Sequence, residues 1–192
     1  MYIHKDFSSN KNYIQINYHE QITNLENPDE LDKLRQANAI QLNNLNEVNK
    51  NIIENIDVLP NCNELDCSFN TLERLPNLPN CNFLYCFNNN LQILPNLPNC
   101  YTLDCDFNNL QVLPNLPNCT ELECRDNNLQ GLPNLPACNT LNCDNNQIQQ
   151  ILNIPRCKEI TCNNNQIQHI TELPNCTKLE CSNNNLIELP IL

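Results

Sequence analysis

The stretch "LPNLPNCYTLDCDFNNLQVLPNLPNC", residues 94–119, holds the string LPNLPNC twice, 19 residues apart. The same spacing runs through most of the chain. One set of cysteines is Cys62, Cys81, Cys100, Cys119, Cys138, Cys157 and Cys176; the other is Cys67, Cys86, Cys105, Cys124, Cys143, Cys162 and Cys181. Each set steps by 19, and together they account for all 14 cysteines. Asparagine keeps the step from Asn70 to Asn184, and aliphatic columns begin at Leu59, Leu65, Leu72 and Leu75. The unit is C-x-x-L-x-C-x-x-N-x-L-x-x-L-P-N-L-P-N, seven times over, so the chain is an internal repeat.

Each unit predicts one short strand. Leu65-Asp66-Cys67 and its equivalents alternate apolar and polar, as a half-buried strand does. Strands centred on Leu65, Leu84, Leu103, Leu122, Leu141, Ile160 and Leu179 would stack in parallel about 4.8 Å apart. The L-P-N-L-P-N segment cannot stay helical, because each proline lacks a donor and restricts the residue before it. It is expected to run extended, near polyproline II, along the outer wall, with the cysteine at its end turning the chain inward. Leu152 and Thr171 stand where other units have the first proline.

The pattern C-x-x-L-x-C-x-x-N-x-L over residues 59–192 resembles the leucine-rich repeat consensus, with cysteine at its first and sixth positions. The trailing LPNLP resembles the short LPX subtype of bacterial effector proteins, and the asparagine-rich, glycine-poor wording resembles repeat proteins of giant DNA viruses. The resemblance implies an α+β repeat protein: a curved parallel β solenoid of seven 19-residue coils behind an N-terminal helical cap. It also implies a concave strand face that holds a protein partner. A ubiquitin-ligase domain, which follows the repeats in some such effectors, is not carried over.

Residues 1–57 do not share the period and are read as an N-terminal arm and helical cap, with 58–192 as the repeat domain. Asn27, Pro28, Asp29 and Glu30 form a helix start with an N-cap, a first-turn proline and a capping-box glutamate. Two helices are expected, roughly 28–42 and 45–56, with Leu31, Leu34, Leu45, Val48, Ile52, Ile53 and Ile56 covering the open end of the first coil. "YIQINY" alternates like a strand, with a loosely docked arm as the alternative. At the other end Leu192 falls in a core column, and that edge is expected either to meet a second copy as a tail-to-tail homodimer, to fray, or to be shielded locally.

Seven stacked asparagines are expected to satisfy backbone groups and bond neighbouring coils, since an amide offers two donors and an acceptor. The cysteines replace consensus leucines and are read as small packing groups of the interior. The alternative is a thiol-based metal or redox protein. Against it, C-x-x-x-x-C is not a zinc spacing, and His4, His19 and His169 are scattered. Stacked parallel strands also give poor disulfide geometry.

Composition removes other classes. A single glycine argues against phosphate-cradling loops. A net charge of −12 argues against nucleic acid and anionic membrane partners. No nucleophile, base or phosphate loop stands out in residues 1–57, so no enzyme, catalytic residue, cofactor or metal is assigned. The start lacks an apolar leader, which places the chain in the cytoplasm, or in a host's cytoplasm if it is an effector or viral protein.

Function is therefore expected on the outward strand positions. Phe69, Phe83, Tyr85, Phe87, Tyr101 and Phe107 gather six of the chain's ten Phe and Tyr in repeats one to three. Asp104, Glu121 and Glu123 lie among them, read as facing out. These nine residues form the candidate partner-binding surface, since aromatics are enriched in interface hot spots. The acidic neighbours predict a basic patch on the partner.

Overall fold

The computed structural model describes residues 13–16, 27–42 and 45–191. Its element order is β1 (Tyr13–Ile16), α1 (Pro28–Gln36), β2 (Ala39–Leu42) and α2 (Glu47–Asn55). Then come β3 (Glu64–Asp66), β4 (Phe83–Tyr85), β5 (Thr102–Asp104), β6 (Glu121–Glu123), β7 (Thr140–Asn142), β8 (Gln150–Ile151), β9 (Glu159–Thr161), β10 (His169–Ile170) and β11 (Lys178–Glu180). One parallel sheet runs β1-β2-β3-β4-β5-β6-β7-β9-β11. From β3 onward each pairing joins residues 19 apart, with Leu65, Leu84, Leu103, Leu122, Leu141, Ile160 and Leu179 in one line. The seven expected strands are there, separated by six full turns of a solenoid.

Hydrophobic burial drives the coil. The leucine columns and both cysteine columns lie inside, most at 0–1 % exposure. None of the cysteines is disulfide-bonded. Those of the first column do more than pack. Each thiol donates to the carbonyl two residues on, from Cys62 to Glu64 (3.3 Å) through Cys100 to Thr102 (3.1 Å) to Cys176 and Lys178 (3.3 Å). A leucine there would fill space but leave that carbonyl without the bond.

The asparagine column bonds coil to coil. Asn108 Nδ2 donates to Cys86 O (3.0 Å) on the previous coil and to Cys105 O (3.1 Å) on its own, and its Oδ1 accepts from Leu91 N (3.0 Å). Asn89, Asn127, Asn146, Asn165 and Asn184 repeat the arrangement. Asn70 extends it across the start of the repeats, donating to Leu42 O (2.9 Å) and accepting from Leu45 N (2.8 Å).

The outer wall carries no helix, as the prolines dictate. Its second half is tighter than the extended path expected. Leu59-Pro60-Asn61-Cys62 is a β-turn closed by Cys62 N to Leu59 O (3.3 Å), and the same turn closes every later coil. Proline suits position i+1 of such a turn. The turn asparagine then reaches the preceding turn, as Asn99 Nδ2 does to Pro79 O (2.9 Å). Where the first proline is missing, the wall pairs: β10 joins β8 in parallel, and Thr171 N donates to Ile151 O (3.1 Å). A proline at 171 would have no hydrogen to give.

The N-terminal segment differs from its expectation. Asn27 caps α1 by accepting from Asp29 N (3.0 Å), but the helix ends at Gln36 rather than near residue 42. Residues 39–42 form β2, whose Ile40 lines up with Leu65 of β3. The helical spacing of Leu31 and Leu34 does not continue past Ala37. The sheet edge gives Ala39-Ile40-Gln41-Leu42 backbone partners that a helix would withhold. The expected strand in YIQINY is β1, paired with β2. The second helix starts at Glu47, capped by Asn46, and buries Ile53.

Candidate functional site: the concave strand face

The register sorts the outward residues of the seven coils into columns. The first holds Glu64, Phe83, Thr102, Glu121, Thr140, Glu159 and Lys178; the second holds Asp66, Tyr85, Asp104, Glu123, Asn142, Thr161 and Glu180. Two residues further on come Ser68, Phe87, Asp106, Arg125, Asp144, Asn163 and Ser182. Beside these lies a rim where every coil leaves its strand through one left-handed residue: Phe69, Asn88, Phe107, Asp126, Asn145, Asn164 and Asn183, all with φ of 52–57°.

Of the nine candidate residues, Phe83, Tyr85, Phe87, Asp104, Glu121 and Glu123 share the strand columns. Phe69 and Phe107 lie on the rim and do not tuck into the coil: they are 62 % and 46 % exposed. Tyr101, also exposed, stands one residue before β5, outside the columns. Asp104 corrects the outward reading. It has the parity of the concave face but is only 9 % exposed, between Tyr85 and Glu123 on the adjoining strands.

Burial sets the electrostatics. It pushes the Asp104 carboxyl up to about 7, and the nearby Asp106 and Glu123 charges add to the effect. Asp106 and Glu123 are also raised, mainly by burial. The Tyr85 phenol is pushed up to about 12 by its own burial and then by Glu64, Glu121, Asp104 and Asp66. Four carboxylates around one phenol make a region of strong negative potential.

Sequence reasoning overlooked Arg125. Its Nε donates to Asp106 Oδ2 at 2.6 Å, its backbone N–H donates to Asp106 Oδ1 at 2.8 Å, and its guanidinium lies 5.1 Å from the centre of the Phe107 ring. The signal was present: 106 and 125 are one period apart, so an opposite-charge pair on adjacent coils followed from the spacing. Phe69 and Phe87 meet edge-on with centroids 4.7 Å apart, the same 18-residue relation as Phe107 to Arg125.

The cysteines offer a different chemistry. Burial pushes the thiols of Cys62 and Cys119 up to about 12 and that of Cys105 well above its ordinary value, away from the reactive thiolate. Among the described residues, no group of three or more His, Cys, Asp or Glu is placed to hold a metal ion. Nor is any helix among them long and apolar enough to cross a membrane.

No sequence family matches the chain, and no curated protein does. Solved structures do. A leucine-rich effector protein of Yersinia pestis, YopM, is 26% identical over 81% of this chain and 46% of its own, with a TM-score of 0.65. YopM from Yersinia enterocolitica is 28% identical over 84% of this chain and 41% of its own, with a TM-score of 0.68. A leucine-rich repeat protein of Leptospira interrogans, 20% identical over 86% of this chain and 57% of its own, shares the fold at a TM-score of 0.59. The matched part is thus less than half of either Yersinia chain.

Proposed function

We propose, from the premise that this chain is a leucine-rich repeat protein, that it is a non-enzymatic cytoplasmic interaction module. Residues 58–192 hold a protein partner on the concave face, and residues 1–57 serve as arm and cap. The observation that carries this reading is the unequal face. Coils 1 to 4 offer Phe83, Tyr85 and Phe87 among Glu64, Asp66, Asp104, Glu121 and Glu123, while the same columns of coils 5 to 7 hold no aromatic residue and mix Thr, Asn and Ser with Asp144, Glu159, Glu180 and Lys178. Aromatic side chains supply contact energy, and the carboxylates select a basic patch and steer its approach.

Tyr85 is the centre of that surface. With proteins recovered by the chain as bait, Tyr85→Ala is expected to weaken binding by about 2 kcal/mol or more, roughly 30-fold. Asn142→Ala, on the polar half, leaves affinity unchanged. Association slows as salt rises, because exposed charges are screened beyond about 8 Å at physiological strength. Association indifferent to salt, or binding lost only on substitutions in coils 5 to 7, would overturn the reading.

A further inference from the structure

Seven coils use one left-handed residue at the rim, and the choice of residue is uneven. Asn and Asp adopt this backbone most readily among L residues, whereas a bulky ring there is an outlier. Coils 2 and 4 to 7 carry Asn or Asp. In the rear of the molecule these side chains also bond in series: Asn145 Nδ2 to Asp126 Oδ1 (2.9 Å), Asn164 to Asn145 (2.9 Å) and Asn183 to Asn164 (2.7 Å). Coils 1 and 3 carry Phe69 and Phe107 instead, forgoing both the easy backbone and the ladder while leaving two rings in solvent.

The two rings differ in what lies over them. Phe107 has the chain's own cation, Arg125, held jointly by the ring and by the Asp106 carboxylate. Phe69 has Phe87 in the corresponding place, and it remains the more exposed ring at 62 %. The carboxylates of Glu64 and Asp66 stand on the same coil as Phe69. Ser68, next to Phe69, keeps its hydroxyl buried with no hydrogen-bond partner. Coil 1 therefore offers an exposed ring with carboxylates on the same coil, much as coil 3 offers Phe107 and Asp106 to Arg125, although Ser68 stands in the Asp106 column and that column brings no cation to Phe69.

We propose that the rim of coils 1 and 2 takes an arginine from an extended segment of the partner. The segment crosses from the acidic concave face over Phe69, with apolar residues on either side of the arginine resting on the Phe69 and Phe87 rings. Guanidinium against an aromatic face, with a carboxylate beside it, is a favourable pairing that Arg125 already displays. The inference rests on the concave-face reading but adds a second edge to it and names the partner's chemistry.

The test uses the full chain and fluorescence anisotropy with three labelled 12-residue peptides: alternating Arg and Leu, alternating Arg and Ser, and alternating Glu and Leu. The Arg–Leu peptide is expected to bind at least tenfold more tightly than either other. Phe69→Asn should cost the Arg–Leu peptide at least tenfold and the Arg–Ser peptide a smaller factor of about threefold, since it loses the ring under the guanidinium but no apolar contact. That variant carries the residue other coils use at the same backbone angle, so a thermal melt should match or exceed the wild type. If both arginine peptides bind alike, ignore Phe69→Asn and are lost in Tyr85→Ala, the rim inference falls and the concave reading stands. If no peptide binds, or the glutamate peptide binds as well, the inference falls together with the acidic-face reading.

Discussion

Coils 1 to 3 and coils 5 to 7 share an interior and differ almost everywhere outside it. Inside, both have the two cysteine columns, the leucine columns and the bonded asparagines. Outside, the front coils carry aromatic and acidic columns, phenylalanine at two of three rim positions, and prolines along the outer wall. The rear coils carry no aromatic residue in those columns, which mix Thr, Asn and Ser with Asp144, Glu159, Glu180 and Lys178, and they have an amide ladder on the rim and, in two coils, a paired wall. The difference teaches that the frame does not need the front's exterior. In a solenoid each coil rests on its own repeat and its nearest neighbours. A surface that departs from the cheaper solution found four coils away is therefore maintained for something other than folding.

The strongest check on the shared frame is the asparagine column. Asn108→Ala in coil 3 removes four hydrogen bonds to backbone groups, and Asn165→Ala in coil 6 removes the equivalent four. Each orphans one buried N–H, Leu91 or Ile148, at roughly 1–3 kcal/mol, while the carbonyls keep a second donor, so each variant should lose about 2–3 kcal/mol in chemical denaturation. The two losses are expected to agree within about 1 kcal/mol. A coil-6 loss much smaller than the coil-3 loss would mean the rear coils rest on their exterior ladder, and the comparison would fail at its base.

The frame was legible because it repeats. Seven copies of Leu65, Cys67 and Asn70 at one spacing left only one register, and the strands, buried thiols and bonded amides all follow from it. What was hidden was whatever the repeat does not encode. Residues 39–42 become a strand because β3 offers an edge, which no local pattern announces. Asp104 is buried by its cross-strand neighbours, although its parity says outward. The Arg125–Asp106 pair and the Phe69–Phe87 contact needed the period to be read sideways, from coil to coil, rather than along the chain. The left-handed backbone under Phe69 and Phe107 could not be suspected from two phenylalanines, although Asn and Asp at the same step in other coils were a hint.

A second check moves a rear residue into the front. Asp104→Asn gives coil 3 the residue of coil 5 at that column and keeps an oxygen to accept from Asp106 N (3.2 Å). The folded-state carboxyl is raised to about 7, while an unfolded aspartate ionises near 3.9. Between those values the folded chain holds a proton the unfolded chain has released. The stability this supplies is complete below about pH 4 and is lost as pH rises through about 7. The substitution should thus raise the thermal midpoint at pH 8 by roughly 4 °C, equivalent to about 1–2 kcal/mol, and change it little at pH 4. An equal shift at both pH values would place the effect in packing rather than in the charge.

The smallest expected change is the most informative about the rim. Phe69→Asn relieves a left-handed phenylalanine, worth about 1–2 kcal/mol. It also supplies an oxygen one coil before Asn88, so Asn88 would donate back to it as Asn145 does to Asp126, adding a few tenths in solvent. Against this it removes the edge-on contact with Phe87, worth about 0.5–1.5 kcal/mol. The terms nearly cancel, leaving a gain of about 0.5 kcal/mol, or 1–2 °C in a melt of a chain this size. The sign carries the meaning. A rise says the ring is held at the rim against the interest of the fold, as a contact residue would be. A fall of 1 kcal/mol or more says the Phe69–Phe87 pair braces coils 1 and 2, and then the front rim is built for stability after all.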